Sequence, residues 1–94
     1  MKLTAVERFN EVGELAEETI GRTLNISEGG MLLEMVMPIP LLSKVALSVG
    51  LGDSVLHVKG EVVHLRKNDN GHIETGIQFE GITDENRKLI RKSL

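Results

Sequence analysis

The sequence predicts a mainly β fold: a small antiparallel, six-stranded barrel with a C-terminal helix and a short N-terminal helical segment. Three observations carry that expectation. Residues 44–51, 54–66 and 73–79 alternate apolar and polar side chains with a period of two, the mark of half-buried strands. Short connections rich in Gly, Asn, Asp and Pro separate these runs, which suits tight turns. No β-α-β alternation is present, so a parallel sheet is not expected.

With 94 residues the chain has room for one domain, 1–94, and not two. It has no Trp, no Tyr and two Phe, so the core must be aliphatic, built from Leu, Ile, Val and Met. The shortage of aromatics and a net charge of −3 argue against nucleic-acid binding, which needs stacking platforms and a broad basic field. A compact anion is a different case, because one or two arginines and backbone amides hold it locally. Without cysteine there are no disulfides, thiolate metal sites or cysteine nucleophiles, which fits a reducing compartment without requiring one. The first residues meet charge too early for a signal peptide, and no apolar run approaches the roughly 18 residues of a membrane span. A soluble, cytoplasmic protein without membrane insertion is the expectation.

Residues 3–9 read as an extended piece. A short helix is expected near 10–18, because Ala5, Phe9, Val12 and Ala16 fall at helical spacing and Glu11, Glu14, Glu17 and Glu18 supply a wet face. Gly13 weakens a single long helix there. Residues 20–25 read as a short strand entering the turn Asn25-Ile26-Ser27-Glu28-Gly29-Gly30, and Met31–Met37 as the strand leaving it. In that turn Asn and Ser bind neighbouring backbone N–H groups, and Gly29 and Gly30 are free to take positive φ. Pro38-Ile39-Pro40 ends regular structure, since proline donates nothing to a ladder.

In 44–51, Val45, Leu47, Val49 and Leu51 share one face. In 54–66, Leu56, Val58, Gly60 and Val62 share one, and then Val63 and Leu65 become the apolar set. A slip of that kind predicts a bulge near 60–63, the usual device for turning a barrel corner. Residues 67–71 form a polar hairpin loop, and 73–79 are the last strand. Thr83 is the expected N-cap of the terminal helix, with Asp84 and Glu85 in its first turn, Arg91 and Lys92 in its last, and Leu89 and Ile90 toward the core.

The polar turn has two readings: a corner fastened by its own side chains, or a recognition corner for a polar, planar or phosphorylated ligand. Its residues Asn25-x-Ser27-x-x-Gly30 resemble the Asp/Asn-x-Ser-x-x-Gly signature of the PilZ domain. Other landmarks follow in that family's order: Pro38-Ile39-Pro40, then Lys59-Gly60-Glu61-Val62-Val63, then Gly76-Ile77-Gln78-Phe79 before the last helix. The resemblance runs from about residue 18 to the end. It implies a small antiparallel barrel whose ligand is cyclic di-GMP, with Asn25 and Ser27 on a guanine base and Gly29 and Gly30 in the turn that lets the ligand approach.

The family's Arg-x-x-x-Arg signature, which grips the phosphates and stacks on guanine, has no counterpart here. Upstream of Asn25 the only arginines are Arg8 and Arg22; Thr4 and Val12 occupy the positions four residues either side of Arg8, and Arg22 lies inside a strand. Little chain precedes Arg8 to form a separate arm. Each missing charge-assisted contact removes about 1.5–3 kcal/mol, so two such losses weaken binding by orders of magnitude.

His57, His64 and His72 have no short metal spacing, Ser27 lacks the context of a nucleophile, and Glu17-Glu18 reads as a solvated face. Neither a cofactor, nor a metal site, nor enzymatic activity is expected. The expected role is a stand-alone adaptor in bacterial cyclic di-GMP signalling with weak or lost nucleotide binding. The alternative is a ligand-independent interaction domain that keeps only the fold. A protein partner is expected in either case. The apolar run Met31–Met37 is covered either by a second copy or a partner, or by the barrel and its helix.

Overall fold

Alternating aliphatic residues place one apolar row on each strand, and closing the sheet on itself buries those rows against one another. The computed structural model describes residues 2–93 and shows this arrangement. Its strands are β1 (Leu3–Phe9), β2 (Leu15–Ile26), β3 (Gly30–Met35), β4 (Lys44–Leu51), β5 (Ser54–Lys67) and β6 (Ile73–Glu80), followed by helix α1 (Asp84–Ser93). They close in the order β1-β2-β3-β6-β5-β4, and every pairing is antiparallel.

The core is aliphatic except for Phe79, which is buried with it. Val6, Leu33, Met35, Val45, Leu47, Val49, Leu56, Val62 and Ile77 are all buried inside the barrel set, and Ile39 joins them from the linker after β3. Ile90 is fully buried and Leu89 partly so, as the helical pattern predicts. Thr83 caps α1, its hydroxyl accepting the Asn86 N–H at 3.1 Å. The helix lies against β5 and β4.

The phase slip in β5 is real. The ladder with β6 shifts register between Val62 and His64, leaving Val63 bulged and exposed while Leu65 turns inward opposite Thr75. The linker is tied to this bulge. Leu42 N–H donates to the Val62 carbonyl at 2.7 Å, and Val62 N–H donates to the Ser43 carbonyl at 3.0 Å. These bonds hold Leu42 at φ 68°, an uncommon angle for a non-glycine residue.

The expected helix near 10–18 does not form. Residues 10–13 make a tight turn instead, and β2 starts at Leu15, well before the predicted residue 20. The Asn10 side chain decides this locally: its Oδ1 accepts the N–H of Val12 at 3.1 Å and of Glu14 at 2.9 Å. Gly13 takes φ 84°, which breaks a helix and reverses the chain. The helical spacing of Ala5, Phe9, Val12 and Ala16 is therefore accidental; β1 and β2 form a hairpin, with Leu3 opposite Arg22 and Arg8 opposite Glu17. At the other boundary β3 stops at Met35, and Val36 and Met37 leave the sheet exposed.

Candidate functional site

The corner between β2 and β3 is fastened from within. Ser27 N–H donates to the Gly30 carbonyl at 2.9 Å. The Ser27 hydroxyl donates to the same oxygen at 3.3 Å and accepts the Gly29 N–H at 3.3 Å. The Gly29 carbonyl takes the N–H of Phe79 at 2.9 Å, so β6 also holds the turn.

Neither Gly29 nor Gly30 uses positive φ; the glycines that do are Gly13, Gly52, Gly71 and Gly81. Gly30 is needed for another reason. It pairs with Gln78, and a Cβ there would run into the backbone carbonyl of Ile77. Gly60 meets the same strand from the other side, where a Cβ would strike Ile77 and the Gln78 carbonyl. The glycines of the two signatures thus permit close strand approach around β6. Gly29 has open space around it.

Asn25 follows a register shift between Thr23 and Asn25, stands opposite Leu32, and is exposed. Leu24 fills the bulge.

The two arginines lie apart and each is paired. Arg8 sits on β1 opposite Glu17, with Nε 3.1 Å from Glu17 Oε1. Leu3 is opposite Arg22, so Arg8 lies 8 − 3 = 5 residues along the strand, roughly 17 Å from the corner's side of the barrel. Arg22 is nearer the corner, but it grips Glu34 through Nε at 2.9 Å and NH2 at 2.8 Å. Glu34 also accepts the Asn68 amide at 2.6 Å and faces His72 Nδ1 at 3.7 Å. The Arg22 hydrogen bond, then the Asn68 one, hold the Glu34 carboxyl below its ordinary pKa of 4.5. The structure therefore does not bring Arg8, Arg22 and Asn25 together into one clamp.

One cation at the corner escaped the sequence reading. Arg91, in the last turn of α1, places NH2 3.0 Å from Glu28 Oε1. That contact lowers the pKa of Glu28, first through the hydrogen bond from Arg91. In the sequence Arg91 reads only as a partner of the helix dipole. Sixty-three positions separate it from Glu28, and only closure of the barrel with the helix docked joins them. The histidines are dispersed: His57 meets Ser48 at 3.1 Å, His72 faces Glu34, and His64 lies beside Gly76.

The architecture is a closed six-stranded antiparallel barrel with a Ser-Gly corner between its second and third strands and a C-terminal helix. The model of the PilZ domain matches residues 7–94, nearly the whole chain. The chain belongs to the PilZ domain family, whose members generally bind cyclic di-GMP. No curated protein matches it. Among the described residues no helix is long and apolar enough to cross a membrane.

Proposed function

We propose that the chain is a binding module of bacterial cyclic di-GMP signalling that works as a cytoplasmic adaptor and binds the nucleotide weakly or not at all. One observation carries this reading: the hydroxyl and the arginines that the ligand would need are already engaged. Ser27 is bonded within its own turn, and Arg8, Arg22 and Arg91 each face a glutamate. A dianionic ligand must displace a carboxylate to reach any of these guanidinium groups, which removes much of the gain from a charge-assisted bond. Among the described residues Asn25 alone offers an exposed side chain of the recognition type that makes no hydrogen bond of its own. The module acts through binding and performs no reaction.

Calorimetric titration with cyclic di-GMP tests the proposal. The expected result is no heat at micromolar concentrations. Micromolar or tighter binding, lost in Asn25→Ala and Ser27→Ala, overturns it.

A second reading, a ligand-independent interaction domain, is favoured by Val36 and Met37, which are 71% and 68% exposed just beyond β3. The helix packs on β4 and β5, and so does not cover this apolar pair. Indifference to the nucleotide in the presence of a bound protein partner supports this reading.

A further inference from the structure

The β2 strand is longer than the sheet that receives it. Its ladder with β1 runs from Leu15 to Arg22, while its ladder with β3 begins only at Arg22 and continues to Ile26. On the β3 side, Leu15 to Gly21 have no ladder partner among the described residues, because the chain bends away after Met35. A run of backbone N–H and C=O groups is left along an open edge, the template on which an extended segment adds as a further strand.

The side chains along this edge specify what fits. By strand alternation Ala16, Glu18 and Ile20 point outward, and all three are exposed. Ile20 is opposite Ala5, and Val36 stands across a groove of about 640 Å³ that Glu7 and Glu18 also line. Glu18 is directly opposite Glu7, a like-charge cross-strand pair, and neither has a basic partner within ion-pair distance among the described residues. Such a pair destabilises the hairpin until a cation meets it.

We propose that the free edge of β2 from Leu15 to Ile20 is a strand-addition site for an extended segment of another protein. That segment carries a lysine or arginine opposite Glu18, with apolar residues on either side of it on the same face. Charge selects this occupant over a second copy of the chain. Antiparallel pairing of the edge with itself about its centre sets Glu17 against Glu18 of the other copy, twice over, with Glu7 close by. The proposal does not depend on whether the corner binds nucleotide.

The test is an NMR titration of the isotope-labelled chain with the heptapeptide Thr-Val-Thr-Lys-Thr-Val-Thr and, separately, with the peptide that has glutamate in place of lysine. The lysine peptide is expected to shift the amides of residues 15–20 and 36–37 in a saturable way, and to slow their hydrogen exchange. The glutamate peptide should leave them unmoved. The substitution Glu18→Lys removes a like-charge contact, so it keeps the fold; it should weaken the lysine peptide about fivefold to tenfold and improve the glutamate peptide. Shifts scattered over other strands, equal response to both peptides, or indifference to Glu18→Lys overturn the proposal. Concentration-dependent dimerisation of the free chain that moves the same amides also overturns it, by assigning the edge to a second copy.

Discussion

The two halves of β2 lie in opposite circumstances. From Arg22 to Ile26 the strand is paired with β3, Arg22 with β1 as well, and it runs into a turn whose hydroxyl and amides bond one another. From Leu15 to Thr19 it is paired on one side only, exposed and acidic. The half that carries the conspicuous sequence signature leads into a turn whose Ser27 hydroxyl is engaged in the fold, and leaves only Asn25 of the signature's polar side chains without a hydrogen bond among the described residues. The half with no signature has no ladder partner on its β3 side, and its Glu18 has no basic partner among the described residues. In this chain a recognisable motif marks where strands must approach closely.

The sharpest way to break this contrast is to truncate one side chain across from the corner-side half, on β3, and one in the other half itself. Leu33, fully buried opposite Thr23, should cost about 2–5 kcal/mol on Leu33→Ala, while Ile20→Ala, 60% exposed, should cost less than about 0.5 kcal/mol. Urea denaturation measures both, and comparable losses would show that the Leu15–Ile20 edge is covered in solution.

A finer version separates the two glycines of the turn. Gly30→Ala forces a Cβ into the Ile77 carbonyl and should destabilise by about 1–3 kcal/mol. Gly29→Ala meets nothing, at a φ any residue adopts, and should stay within about 0.5 kcal/mol. A larger loss at Gly29 than at Gly30 would reverse their assigned roles.

Acid titration examines the ion pair at the paired end. The Glu34 pKa is depressed below 4.5 in the folded chain, so its stabilising contribution is complete above that value and is lost as pH falls through the lowered one. The melting-temperature gap between the wild type and Glu34→Gln should be widest near neutrality and should close below pH 4.5. A gap independent of pH contradicts the pairing of Arg22 with Glu34. The smallest effect is expected for Arg8→Ala, whose distance from the corner should leave cyclic di-GMP heats unchanged.

Much of this was legible in the residues. The alternation in β4, β5 and β6, the Val62–His64 bulge, the Thr83 cap and the buried Ile90 all follow from local patterns that the tertiary structure respects. The hairpin at residues 10–14 was not legible. Helical spacing and glutamates outvoted Gly13, and the Asn10 turn that decides the matter looks like an ordinary polar residue. The site was half legible. Ser27 and Gly30 were found by type, but their bonds to each other show a corner closed on itself. Arg91 and the open edge of β2 depend on which distant strands stop where, and no local pattern encodes that.

Hydrogen exchange along β2, read amide by amide on the free chain, tests the contrast most directly. The Ser27 and Phe79 amides, bonded to the Gly30 and Gly29 carbonyls, and those amides of Arg22–Ile26 that point toward β3 should exchange slowly. Those amides of Leu15–Thr19 that point away from β1 should exchange fast. Uniform slow exchange along the whole strand, or fast exchange at Ser27 and Phe79, would contradict the picture of a locked corner beside an open edge.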